Sequence, residues 1–232
     1  MTIAVLPWSG YEANAAVVQT ILEKQLHYKV VLKKMTAGDA WTAIGGGSLD
    51  VMLENWGHAA QEKEYIDDKK TLVKAGLTGN KSYTTNDPAL IKNLGLDFTF
   101  AYSGGEDATV KAALESTTNK TPLLFYFWEP HWLFEDHRFA KINFPDHSDS
   151  CDADAATVRC DYAVNALDKL VSKKFADTSG KAYNLVKNFA WTNADQNEIA
   201  DYIVNQHLSY QAAAEKWMDI HPDDWEPWLI QQ

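Results

Sequence analysis

The chain opens with an apolar run, Thr2-Ile-Ala-Val-Leu6, closed by Pro7-Trp8-Ser9-Gly10. A short apolar stretch stopped by turn formers predicts a buried strand. From Tyr11 to Leu26, the residues Ala15, Val18, Ile21, Leu22 and Leu26 recur at the spacing of one helix face. This predicts an amphipathic helix, with Ser9 or Gly10 in its cap region. Tyr28–Leu32 reads as a second strand, and Asp39–Ile44 as a short helix stopped by Gly45-Gly46-Gly47. Leu49–Leu53 reads as a third strand, running out through Glu54-Asn55-Trp56. Strand, helix, strand, helix, strand is the signature of an α/β fold.

Beyond Trp56 the pattern predicts a charged helical segment from Ala59 to Lys70, then Leu72–Gly76. The turn-rich stretch Leu77-Thr-Gly-Asn80 is the expected crossing between two lobes. Thr85-Asn-Asp-Pro88 introduces a helix over Ala89–Leu94, followed by a strand over Phe98–Tyr102. A further helix is predicted over Ala108–Ser116, and Pro122–Phe127 reads as the most hydrophobic strand of the chain. Tyr162–Leu170 is expected to be extended, and the tail from Tyr183 to Trp228 almost wholly helical. Ala212-Ala-Ala214 is a strong helix former within that tail. There are no internal repeats or low-complexity tracts.

Three tryptophans fall at expected strand ends: Trp8 after the first strand, Trp56 after the third, and Trp128 at the end of Leu123-Leu-Phe-Tyr-Phe-Trp128. The ends of strands are where open α/β sheets bind ligands. A set of aromatic faces can hold a cation that has no hydrogen to donate, because the π-face supplies negative charge without a hydrogen bond. An aromatic box for a quaternary ammonium is the sharp reading. The plain reading of any single tryptophan is a large core residue. Glu54 or Glu129 could add Coulomb attraction, and backbone N–H groups near Ser9–Tyr11, or His131, could meet a ligand carboxylate.

Composition narrows the rest. A chain of 232 residues with 46% hydrophobic and 12% aromatic residues can bury a sizeable core, in one large domain or two compact lobes. A net charge of −11 with no basic stripe argues against nucleic-acid binding. No apolar run is long enough to span a membrane. The chain reads directly into strand, so the protein is either cytosolic or has lost its signal peptide. The only cysteines, Cys151 and Cys160, bracket a short polar loop, which suggests a local disulfide and an oxidising compartment. Two unrelated buried thiols, or half a metal site, are the alternatives. No further soft or imidazole ligands lie at zinc-site spacing, so no metal is expected. The triple glycine lacks the Gly-Lys-Ser/Thr of a phosphate loop and precedes a strand, and no hydrolase elbow or His-Glu-x-x-His pair is present. Glu135-Asp136-His137 reads as a solvated turn, and Asp152 and Asp154 lack the rest of a calcium loop.

Trp8-Ser9-Gly10-Tyr11-Glu12, Leu49-Asp-Val-Met-Leu-Glu-Asn-Trp56 and Phe127-Trp-Glu-Pro-His-Trp132 together resemble substrate-binding proteins of the glycine betaine, choline and proline-betaine ABC importers. The resemblance covers essentially the whole chain. It implies a bilobed type II periplasmic-binding-protein fold, whose ligand is caged by aromatic rings between lobes. Residues 1–80 would begin lobe 1, residues 81–145 would form lobe 2, and residues 146–232 would return to lobe 1 with the C-terminal helices. Trp8, Trp56 and Trp128 match cage positions, with Tyr11, Glu54 and His131 as secondary contacts. The implied protein is not an enzyme and needs no cofactor. It would be periplasmic or extracellular and deliver a small quaternary ammonium solute to a membrane permease. One departure stands out: the segments around Leu77–Asn80 and Ser82–Asn86 nearly abut, where relatives carry a longer stretch. The second lobe is therefore expected to be truncated, and exposed strand edges there would favour an oligomer. Rival readings are a sensing module of the same fold, a deletion variant that no longer binds, and an enzyme using Glu129 and His131 as acid and base.

Overall fold

In a computed structural model of the protein, residues 1–81, 86–163 and 165–230 are described, those at 76–81 and 165–166 by backbone alone. The chain divides into two units. The first comprises Met1–Lys81, Pro130–His137 and Ala166–Gln232, and the second Ser82–Glu129 and Arg138–Asn165.

The first unit is built on a mixed five-stranded sheet. Its strands are β1 (Thr2–Val5), β2 (Val31–Lys34), β3 (Val51–Asn55), β4 (Leu72–Lys81) and β5 (Asn165–Ser172), in the order β2-β1-β3-β5-β4. β1 pairs in parallel with β2 and β3, whereas β5 returns antiparallel to β3, with a register shift between Met52 and Asn55. All five residues of β3 are buried, which suits a central strand. The second strand lies a little beyond the expected Tyr28–Leu32. Thr2 pairs with Val31, and Tyr28 instead donates its N–H to Leu22 O at the end of the preceding helix. β4 continues through Leu77–Asn80, the stretch expected to be a crossing.

Helix α1 (Ser9–Lys24) packs chiefly against α9 (Asn193–Val204) and α10 (Tyr210–Ile220), and α2 (Ala37–Gly45) joins β2 to β3. The cap of α1 is Trp8, not Ser9 or Gly10, and it makes no side-chain cap hydrogen bond. After β3 a single α-turn, α3 (Ala59–Glu62), runs into a π-helix over Lys63–Asp68. The tail is helical as expected. The single turn α6 (Leu133–Asp136) and the short helix α7 (Lys173–Thr178) precede it, and it comprises α8 (Gly180–Asn188), α9, α10, α11 (Pro222–Trp225) and a 3-10 turn over Glu226–Leu229.

Four of its aromatics form one core cluster. Phe189 meets Trp191 and Trp228 edge-on at 5.1 and 4.9 Å, and Trp217 stacks on Trp228 at 6.0 Å. Lys169 on β5 is also buried here. Its ammonium donates to the carbonyls of Lys187 and Phe189 at the end of α8, and burial brings its pKa down to about 7.

In the second unit the described helices are α4 (Asp87–Leu94) and α5 (Glu106–Asn119). The strands expected over Phe98–Tyr102 and Pro122–Phe127 are not formed. A strand needs a neighbour to take its backbone hydrogen bonds, and no ladder pairs either run among the described residues. Phe98, Tyr102 and Leu124 are accordingly 56, 86 and 54% exposed. Trp128 therefore does not close a strand. The buried core here is small: Leu90, Val158 and Cys160, with Ala89, Leu94, Phe144, Cys151 and Tyr162 packed around it.

Cys151 and Cys160 are joined as a disulfide, with Cα atoms 6.3 Å apart. Asn93 Nδ2 donates to Val158 O at 2.8 Å, and the Tyr162 hydroxyl donates to Asp87 at 2.6 Å, tying α4 to the cysteine loop. Replacing both cysteines by serine is expected to destabilise this unit by about 2–3 kcal/mol, the loop-closure value for so short a loop. Urea unfolding followed by hydrogen exchange at Leu90 and Val158 measures it.

Candidate functional site

The turn after β1 and the turn after β3 bring two tryptophans together. Trp8 and Trp56 meet edge-to-face with ring centroids 5.5 Å apart and planes at 79°. Both rings are half-buried, so each keeps some surface toward solvent. The Trp56 turn is set by Asn55, whose Oδ1 accepts from Gly57 N–H at 3.0 Å, and by Gly57 at φ 80°. That backbone conformation favours glycine. Asn55 Nδ2 donates to Glu62 at 2.6 Å, anchoring the turn to α3.

Behind the two rings lies Glu54, only 1% exposed. Side chains alternate along a strand, so Glu54 and Trp56 share a face of the β3 path. The Trp56 indole donates to Glu54 Oε2 at 2.9 Å. Gln196 Nε2 donates to Oε1 at 2.6 Å, and Asn14 Nδ2 donates to the same oxygen. The Trp8 indole lies near the same carboxylate. These donors favour the charged form, yet desolvation outweighs them and pushes the Glu54 pKa up to about 7.

Tyr11, on the first turn of α1, is fully buried, and its hydroxyl accepts from Leu53 N–H at 2.9 Å. Burial, with the Glu54 charge adding to it, raises the Tyr11 pKa and keeps the phenol neutral. His131 is 1% exposed. Its backbone N–H donates to Asn197 Oδ1 at 2.6 Å, and its Nδ1 accepts from Leu133 N–H at 3.1 Å. A neutral ring whose Nδ1 accepts carries its proton on Nε2.

Trp128 belongs to the second unit, where it stacks on Phe127 with centroids 4.4 Å apart. Of the six residues singled out from the sequence, the first unit thus holds Trp8, Tyr11, Glu54, Trp56 and His131. Trp8, Tyr11, Glu54 and Trp56 form one linked group within it.

Sequence reasoning missed Asn14, Gln196 and Asn197. All three are buried polar residues on helices; Asn14 and Gln196 hold Glu54 in place, and Asn197 holds the backbone of His131. The available signal was a polar residue inside a run of buried small ones, as in Ala13-Asn14-Ala15-Ala16. Such a residue needs a buried partner. Glu129, the acid of the enzyme reading, is exposed.

A sequence profile described as "Substrate binding domain of ABC-type glycine betaine transport system" matches residues 1–86 and 78–219 of the chain. Over 122 residues the chain is 27% identical to the glycine betaine/carnitine transport binding protein GbuC of Listeria monocytogenes. That alignment covers 50% of this chain and only 36% of the relative. The fold is similar to that of lactococcal OpuAC crystallised with glycine betaine, at TM-score 0.68 and 17% identity, covering 99% of this chain and 98% of that one. It is equally similar to an ABC-transporter choline binding protein in complex with choline, at TM-score 0.68 and 18% identity, covering 99% and 91% of the two chains. The likeness to these solved structures extends the α/β reading of the sequence to a known binding-protein fold.

The close fit of Trp8 has a direct test. A Cβ added at Gly10 would run into the Trp8 ring and lie 2.7 Å from Gln196 Nε2. Gly10→Ala is expected to cost about 1–3 kcal/mol, as overpacking does. It should also red-shift tryptophan emission as the Trp8 ring is forced outward; thermal unfolding and fluorescence spectra check both.

Proposed function

The chain belongs to the family of substrate-binding domains of ABC-type glycine betaine transport systems, and from that premise we propose that it captures a quaternary ammonium solute on the rings of Trp8 and Trp56. The observation that carries the reading is the edge-to-face pair, partly open to solvent and backed by a buried carboxylate. A methylated ammonium offers no hydrogen to donate, so hydrogen-bonding sites cannot hold it, whereas an indole face attracts it electrostatically. Two rings near a right angle present faces in different directions, which suits the tetrahedral shape of such a group.

We assign ligand contact to Trp8 and Trp56, whose rings are half-buried, and a supporting role to Tyr11, Glu54 and His131, which are buried. Glycine betaine, choline and related ammonium compounds are the candidate ligands, in keeping with the named relatives. The captured solute would pass to the membrane permease of an importer. The Cys151–Cys160 disulfide supports a location outside the cytoplasm. Among the described residues, no helix is long and apolar enough to cross a membrane.

Calorimetric titration with glycine betaine, proline betaine, choline and carnitine tests the reading. One or more should bind saturably, and Trp8→Ala or Trp56→Ala should each weaken binding at least ~10-fold, about 1.4 kcal/mol. Absence of heat from all four compounds with a chain shown to be folded would overturn it.

A further inference from the structure

Each indole has one polar handle, its Nε1–H, and fixing that handle fixes where the ring face points. Trp56 spends its handle on Glu54 Oε2, and the Trp8 ring packs edge-to-face on the Trp56 ring so held. Resting on the cation-binding reading above, we infer that Glu54 is a positioning residue: its carboxylate aims the Trp56 ring, and through it the Trp8–Trp56 pair, and couples cation capture to its own ionisation.

The donor geometry suits a charged group. Oε1 takes Asn14 and Gln196, while Oε2 takes Trp56. A proton on Oε2 would face the Trp56 N–H, leaving two donors opposed and the bond lost. A proton on Oε1 would need one amide to turn its oxygen inward. Asn14 has the means, because its Oδ1 is buried without a hydrogen-bond partner. In either case the negative charge behind the rings disappears, and the Trp56 bond loses its charge assistance or breaks.

The neighbours leave Glu54 to respond alone within this group. From α1 it meets the Asn14 amide and the Tyr11 phenol, from α9 the Gln196 amide, and from the two turns the indoles of Trp8 and Trp56. Amides and indoles do not titrate here, and Tyr11 is held neutral by its raised pKa. Burial places the Glu54 ionisation near pH 7. The sign follows directly. A cation on the rings favours the carboxylate, so binding releases a proton near neutrality and affinity rises with pH through the Glu54 ionisation.

The test begins without ligand. In protein labelled with 15N-tryptophan, the Trp8 and Trp56 indole signals, assigned with Trp8→Phe and Trp56→Phe, are followed from about pH 5 to about pH 9. Both should titrate with one shared midpoint near 7. Glu54→Gln should abolish the shared titration. Gln196→Leu, which removes a donor that favours the carboxylate, should move the midpoint to higher pH and serves also if Glu54→Gln fails to fold. Signals that do not titrate, or that titrate unchanged in both variants, would overturn the inference whatever the ligand does. In calorimetry, affinity for choline should rise about tenfold across that pH range in the wild type and stay flat in Glu54→Gln. A wild type that binds no ammonium compound would sink the cage reading, while the indole titration would still decide the role of Glu54.

Discussion

A carboxylate buried at the end of a central strand costs several kcal/mol unless hydrogen-bond donors surround it. Glu54 meets that demand with groups drawn from separate parts of the chain: Asn14 of α1, Gln196 of α9 and Trp56 of the following turn. The helices that pack on this side of β3 must therefore dock in one register, because any slip leaves a charge unpaired. Gly10 permits the Trp8 ring and the Gln196 amide to close on the same spot. Tyr11 adds a further tie by accepting from the backbone of Leu53. A single polar group thus specifies how α1, α9 and β3 meet, in a unit whose remaining contacts are largely apolar and less directional.

The nine tryptophans divide by what surrounds them. Trp191, Trp217 and Trp228 pack with Phe189 in the helical tail, and Trp225 is buried in the same core with its indole donating to Met218 O. Trp8 and Trp56 keep part of their faces open; a hydrogen bond to Glu54 orients the Trp56 indole, and the Trp8 ring packs edge-to-face against it. Lys169 is the counterpart of Glu54 with opposite charge. Each is buried, each is satisfied by hydrogen bonds of the right polarity, and desolvation pulls each toward neutrality. Lys169 faces carbonyls at a helix end, a structural setting, whereas Glu54 stands behind the rings proposed to bind the ligand.

The second unit follows a different rule. Its buried core is small, and a disulfide together with side-chain hydrogen bonds from Asn93 and Tyr162 holds the cysteine loop to α4. With few apolar contacts available, covalent closure makes a proportionately larger contribution. The apolar runs at Phe98–Tyr102 and Leu123–Phe127 show that a strand-like composition is insufficient, because a strand exists only through its neighbours.

The sequence by itself determined the elements that depend on local pattern. The helical face of α1, the burial of β1 and β3, the stop after α2, the helical tail and the cysteine pair were all legible in it. Periodicity and short spacings encode these features directly. The positions of Trp8 and Trp56 after their strands were legible too, and with them the aromatic reading. The pairing of those rings at 5.5 Å was not, nor was the burial of Glu54, nor the roles of Asn14 and Gln196. Gln196 lies 142 positions along the chain from Glu54, and no local pattern relates the two. Only the tertiary structure could decide them, because a buried charge takes its donors from whatever the fold brings within 3 Å, regardless of distance along the chain.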